Sequence, residues 1–258
     1  MTGLANTSIR RLAIVGRGRV GTALARAFAA AGIQIEGPLA RGEQPAADLV
    51  LLCVPDGEIA NAAAQVEARW VGHVSGATPL DALVTRDADG SAKARGLFGL
   101  HPLQTVTGPD TDFAGCGCAI AGSTPEALEL ARELAVAARM EPFEIDDSAR
   151  AAYHAAASIA SNFVVTLEWM AERVAAAAGI APADARRMLA PLVRRTVDNW
   201  STLGPTDALT GPIARGDELT VARQRKAIAN AAPDLLPVFD ALADATRSLA
   251  DARRAEVA

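Results

Sequence analysis

The chain has 258 residues, half of them hydrophobic and 21% charged, enough apolar material for one large or two modest globular domains and too much for a disordered chain. Its formal net charge of −5, with no basic block, argues against a nucleic-acid partner. Small anionic substrates stay open, because a few local arginines suffice for them. The first residues lack the apolar core of a signal peptide and no apolar run is long enough to span a bilayer, so no membrane association is expected and the cytoplasm is the expected location.

The first part of the chain alternates short apolar runs with helical patterns. "RLAIVG" (11–16) reads as a buried strand, followed by the helix "VGTALARAFAAAG", which Gly32 ends. "IQIEG" and the near-continuous apolar run "DLVLLCVP" (48–55) come next, the latter of the kind parallel strands need when both faces are covered. "WVGHVSGA" (70–77), "GLFGLHPL" (96–103), "CAIAG" (118–122) and "EPFEID" (141–146) supply further strands. Between the last two lies a helix with Thr124 at its N-cap and Pro125 at its first position. Strand–helix alternation of this sort predicts an α/β, doubly wound parallel sheet.

After Asp147 the strand signals vanish. Helical stretches follow at 149–178, 182–202, 217–231 and 233–255, with Asp147 or Ser148 as a cap for the first. The expected organisation is a dinucleotide-binding domain over 1–147 and an all-helical domain over 148–258. Cys53 sits in an apolar run as a core residue. No second Cys or His pair accompanies Cys116 and Cys118 at ligand spacing, so neither a disulfide framework nor a metal site is expected.

Gly16-Arg17-Gly18-Arg19-Val20-Gly21 is a G-x-G-x-x-G motif directly after a strand and opening a helix. The first glycine allows the tight turn, the second lets backbone approach a pyrophosphate, and the third permits close helix–strand packing. The helix N-terminus adds free N–H groups and partial positive charge for the phosphates. Glu36 lies at about the distance at which an acidic residue binds the ribose of NAD, yet the strand extends past it and puts Arg41 in the loop at its end. With Arg17 nearby, this favours NADP over NAD. "VPD" (Val54, Pro55, Asp56) and "SGA" (Ser75, Gly76, Ala77) end the next two strands, where ligands of such sheets bind.

"YHAAASIASN" (153–162) raises a separate question. In an unbroken helix, His154, Ser158, Ser161 and Asn162 share a sector of roughly 100°. Ile159, Phe163 and Val164 lie opposite.

These stretches, together with "GRGRVGTAL", "LLCVPD", "HVSGA", "LHPLQT" and "LTGPIARGD", resemble the β-hydroxyacid dehydrogenase superfamily, which includes 6-phosphogluconate dehydrogenase, ketopantoate reductase, pyrroline-5-carboxylate reductase and prephenate dehydrogenase. Within it the chain is similar to small bacterial oxidoreductases that pair a Rossmann-like domain with a C-terminal domain long described as of unknown function. The resemblance covers nearly the whole chain. It implies an NADP-linked oxidoreductase and a homodimer formed through the helical domain, with the active site in the cleft between domains. Its leading substrate is ketopantoate, a small 2-oxo acid. One departure stands out: in ketopantoate reductase a lysine four residues before the equivalent of Asn162 supplies the proton, and here that position is Ser158.

Hydride delivery to a ketone creates negative charge on oxygen, which needs donors and finally a proton. Two histidines remain candidates. His154 precedes Ser158 by one turn, and His101, fixed by Pro102, follows the cofactor side and is similar to the catalytic His-Pro of prephenate dehydrogenase. An imidazole with its ordinary pKa near 6.5 serves as acid or base at neutral pH. Ser158 and Asn162 are then expected to hold the carbonyl oxygen, Gln104 and Thr105 to line the substrate site, and Arg215 to pair with a substrate carboxylate. His73 is read as a satisfied strand residue, and Trp169 and Trp200 as core or dimer contacts. The competing readings are a prephenate-type or pyrroline-5-carboxylate-type NAD(P) enzyme and a non-catalytic NADP-binding regulator.

Overall fold

Apolar residues that alternate in phase along neighbouring strands build two layers of core, one on each face of a central sheet. In β1 (Arg11–Val15), Leu12 and Ile14 pack on one side while Ala13 and Val15 pack on the other. Leu49 and Leu51 are divided in the same way from Val50 and Leu52 in β3 (Leu49–Leu52), every residue of which is buried. The computed structural model describes residues 9–93 and 95–257.

Seven strands form the sheet in the order β2-β1-β3-β4-β5-β6-β7, with β2 at Gln34–Leu39, β4 at Trp70–His73, β5 at Gly96–Pro102, β6 at Gly117–Gly122 and β7 at Glu141–Glu144. Helix α1 (Arg19–Ala30) follows β1, α2 (Ile59–Ala64) follows β3, and α3 (Pro125–Ala137) joins β6 to β7. The cap expected of Thr124 is present, its hydroxyl oxygen accepting from the Ala127 N–H at 3.2 Å. Gly32 turns the chain at φ 86° just past α1.

Strand β6 departs from the all-parallel expectation, because it pairs antiparallel with β5. No helix connects these two strands, and an antiparallel neighbour needs no crossover. The remaining pairs, including β6 with β7, are parallel.

The chain divides into two compact units, the first closing at Ser161 and the second opening at Asn162. Helix α4 (Arg150–Ala160) belongs to the first. The helix expected over 149–178 is interrupted at Ser161 (φ −123°, ψ −70°), and α5 (Asn162–Ala177) starts anew. Ser and Asn side by side offer the backbone competing hydrogen bonds and propagate a helix poorly.

The second unit continues with α6 (Pro182–Ala208), kinked at Gly204 ahead of Pro205, then α7 (Glu218–Ala231) and α8 (Leu236–Val257). Its buried cluster is small: Ile228, Ala232 and Leu235, with Met170, Val174 and Phe239 packed against them. No described helix is long and apolar enough to cross a membrane.

Candidate active site

The reversal of strand order lies between β1 and β3, and their carboxyl ends meet at Gly16. Gly16 has φ 119°, and a Cβ on it would stand 2.1 Å from the Cys53 carbonyl oxygen. No other residue fits this turn. A Cβ on Gly21 would meet the Gly16 carbonyl oxygen at the same distance, which lets α1 begin directly against the turn. Gly18 differs: a Cβ there would meet nothing within 4 Å. Its face is open, it is the N-cap of α1, and no side chain caps the helix over Arg19 and Val20. Two of the glycines are thus demanded by the fold itself, while the third keeps clear the space into which a pyrophosphate would settle on free N–H groups.

Beside this turn, at the end of β2, is a cleft of about 390 Å³ lined by Arg17, Arg41, Glu43, Val54, Pro55 and Glu58 among others. Arg17 donates to both Glu43 carboxylate oxygens at 2.9 Å and to the Pro38 carbonyl at 3.1 Å. Arg41 pairs with Glu58 at 2.6 Å. Glu36, in contrast, is used inside the sheet, accepting from Arg11 at 2.8 Å and from the Ala46 N–H at 2.7 Å. The cleft therefore presents two guanidiniums, and the acidic residue at ribose-binding distance in sequence is engaged elsewhere.

One strand further on, β4 runs out into Ser75 and Gly76. The Ser75 hydroxyl is spent on the turn, accepting from Ala77 and Thr78 N–H groups at 3.2 and 2.9 Å. Gly76 is buried between two imidazoles. A Cβ on it would lie 2.8 Å from His101 Cε1, 2.9 Å from His101 Nε2 and 2.8 Å from His154 Nδ1. His101 comes from the end of β5 and His154 from α4, with ring centroids 5.9 Å apart and nearly perpendicular. His154 Nδ1 is buried and has no hydrogen-bond partner.

His101 Nδ1 lies 2.7 Å from the hydroxyl of Tyr153, whose ring also packs edge-on against Phe143. Burial, followed by the proximity of His154 and of the Arg150 guanidinium, drives the His101 pKa down to about 4, with Asp56 opposing weakly. Burial pushes the Tyr153 phenol up to about 12. The expectation of an imidazole titrating near neutrality is thus corrected for His101, which is uncharged at pH 7. His73, in β4, is also held at about 4 by burial and by Arg150. Only one of its nitrogens is satisfied, Nδ1 accepting from the Ser75 N–H at 3.2 Å.

Arg150 is the largest fully buried side chain among the described residues, 1% exposed. Its Nε donates to Asp147 at 2.5 Å and Nη1 to the Ser75 carbonyl at 3.4 Å, while Nη2 has no partner. Nη2 presses on Gly99 in β5, where a Cβ would approach it to 2.6 Å. Asp147 does not cap α4 as expected. Its other oxygen accepts from the Leu80 N–H at 2.9 Å, and the N-cap position is Ala149. Arg150 and Asp147 together tie the start of α4 to the ends of β4 and β5.

The remaining candidates are dispersed. Ser158 is half-buried on α4, one turn past His154. Asn162 opens α5 in the second unit and is exposed, so the helical phase that placed it on one stripe with His154 is broken at Ser161. Gln104 and Thr105 organise the loop after β5, with Gln104 Nε2 donating to the Asp112 carbonyl at 3.1 Å and Oε1 accepting from the Thr105 N–H at 2.8 Å. Arg215 is exposed in the second unit, in the turn before α7, which Asp217 caps through Thr220. Among the described residues no group of three His, Cys, Asp or Glu side chains stands at metal-binding distance. Sequence reasoning missed Arg150 and Tyr153. A signal existed for Arg150, one turn before His154 on the same face of an alanine-rich helix. Tyr153, one residue from His154, carried none.

Taken together, the glycine turn at the switch point and the seven-stranded sheet define a Rossmann-type fold followed by a helical domain. Residues 116–246 match the family described as "Domain of unknown function (DUF2520)", and the chain belongs to it. Among solved structures, a Bacteroides fragilis protein described as an NADP oxidoreductase is similar, with 17% identity, a TM-score of 0.75, and 93% of this chain and 98% of that one covered. The Thermotoga maritima protein TM1727 is 20% identical over 94% and 99% of the two chains, at a TM-score of 0.72. A pyrroline-5-carboxylate reductase from Streptococcus pyogenes is 13% identical over 94% and 100%, at a TM-score of 0.59. At these identities the likeness is one of fold. No curated protein matches in sequence.

Proposed function

We propose that the protein is an NADPH-dependent reductase of a small 2-oxo acid, with ketopantoate the best single candidate. The observation that carries this reading is Gly76: bare backbone at the carboxyl end of a strand, one strand from the glycine turn, with His101 and His154 against it. In this reading Gly16 to Gly21 hold the pyrophosphate, Arg17 and Arg41 exchange their glutamates for a 2′-phosphate, and Val54, Pro55, Asp56, Ser75 and Gly76 leave room for the nicotinamide. The bound cofactor supplies the hydride. The B. fragilis and S. pyogenes proteins of like fold are described as an NADP oxidoreductase and a reductase, in keeping with this assignment.

An uncharged imidazole polarises a ketone by donating a hydrogen bond to the oxygen on which negative charge develops, in the manner of other neutral catalytic histidines. An iminium substrate already carries its proton and needs no such donor, which favours C=O over C=N. His154 and Ser158 flank the same region of α4. Asn162, Gln104 and Thr105 are assigned to substrate orientation, and Arg215 to its carboxylate. We infer also that a second copy of this chain covers the apolar surface of the helical unit, where Val165, Leu192 and Trp200 are 70%, 63% and 56% exposed against a small buried cluster.

The test is NADPH oxidation with ketopantoate, pyrroline-5-carboxylate and other small oxo acids, for the wild type and for His101→Ala and His154→Ala separately. Turnover of a 2-oxo acid, lost in His101→Ala while NADPH affinity is kept, is the expected result. Retained turnover in both variants refutes the mechanism. NADPH binding with no turnover of any substrate would mark a regulator instead.

A further inference from the structure

We propose that Tyr153 is the positioning residue of His101: its hydroxyl donates to Nδ1, fixes the imidazole as the Nε2–H tautomer toward Gly76, and replaces the proton that Nε2 gives up. The inference rests on the reductase reading for its catalytic consequence and on geometry for the rest. The 2.7 Å contact requires one of the two groups to donate. Both groups are uncharged at neutral pH, and Nδ1 is the one hydrogen-bond partner of the Tyr153 hydroxyl among the described residues, so we assign the O–H as donor and Nδ1 as acceptor, the arrangement that leaves no phenol proton without a partner. The remaining imidazole proton then sits on Nε2, the nitrogen nearest Gly76 together with Cε1. The groups facing His101 are Tyr153, His154 and Arg150 from α4, Asp56 beyond β3, and the Gly76 backbone beyond β4. Of these only Tyr153 is hydrogen-bonded to the ring among the described residues.

The proton balance follows. As hydride reaches the carbonyl carbon, the Nε2–H bond breaks and an O–H bond forms on the substrate oxygen. The Tyr153 O–H bond breaks as an Nδ1–H bond forms, so the ring exchanges tautomers without becoming charged. An aliphatic alcohol is a weaker acid than a phenol even at 12, so the net transfer from Tyr153 to the alkoxide runs downhill. After product leaves, Nε2 takes a proton from water as Nδ1 returns its proton to the tyrosinate, which restores both the neutral phenol and the original tautomer.

Composition makes the test clean, because the chain holds one tyrosine and three histidines. Long-range nitrogen–proton correlation spectra of histidine-labelled protein assign the tautomer of His101, identified by its loss in His101→Ala. The expected result is Nε2–H in the wild type and a tautomer mixture in Tyr153→Phe, with kcat about tenfold lower and NADPH affinity and KM unchanged. An Nδ1–H wild type, or a Tyr153→Phe spectrum identical to it, overturns the proposal. The spectra need no substrate, so they decide the Tyr153 assignment even if no oxo acid is turned over.

Discussion

Burying two uncharged histidines in one small region has a cost that appears on mild acidification. His73 and His101 are both held at about 4, against an ordinary value of 6.5 that they regain on unfolding. Between those values the unfolded chain binds more protons than the folded one, so stability is lost as pH falls through that window. From pH 7 to pH 5, the difference integrates to about 2 kcal/mol for each histidine, about 4 for the pair. That is a large share of the roughly 5–15 kcal/mol typical of a folded domain. Carboxylates lowered by ion pairs or hydrogen bonds, such as Asp89, Asp217 and Asp240, act in the same direction but only below their ordinary value of 3.8, outside this window. The assay is urea unfolding at pH 7 and pH 5 in a Trp169→Phe/Trp200→Phe background, where Trp70 at the start of β4 alone reports on the sheet. His101→Gln is expected to remove about half of the loss. Stabilities at the two pH values agreeing within about 1 kcal/mol, or an unchanged loss in His101→Gln, would refute the reasoning.

Three further outcomes are expected. Gly16→Ala abolishes folding, because its Cβ collides with the Cys53 carbonyl, whereas Gly18→Ala folds normally and weakens NADPH binding at least tenfold; thermal melts and fluorescence titration separate the two. Arg41→Ala lowers NADPH affinity about tenfold and leaves NADH affinity unchanged, measured by the same titration. Trp200→Glu, on the exposed face of α6, shifts the sedimentation mass from two copies to one.

Much of the fold was legible because the strands β1, β3 and β5 are apolar on both faces, which leaves little alternative to a covered sheet. The glycine turn was legible for a related reason: Gly16 and Gly21 are required by backbone contacts that leave a fixed spacing in sequence. The direction of β6 was not, since an apolar run carries no arrow and the 103–116 loop has no helical period to reveal a crossover. The break at Ser161 was hidden too. Apolar spacing runs through it, and the competing hydrogen bonds of Ser and Asn are a local preference that long helices often override. Within the site, the histidines announced themselves as chemistry, but their ionisation did not. For His73 and His101 it is set first by their own burial, to which the charge of the buried Arg150 adds, a charge that composition alone places at the surface.

The contact between Arg150 and Gly99 links two positions that lie on different elements. The guanidinium occupies the space of a missing side chain, so a Cβ at position 99 requires the buried, Asp147-bonded guanidinium to shift. A chain that gives up the arginine is released from that requirement, and gains room there for an apolar side chain between α4 and the sheet. Substitutions at the two sites should therefore travel as a pair: Gly99→Ala alone should be poorly tolerated, and far better tolerated beside Arg150→Met. A side chain at position 99 is thus expected to accompany loss of the buried positive charge, whereas a glycine there is compatible with either state.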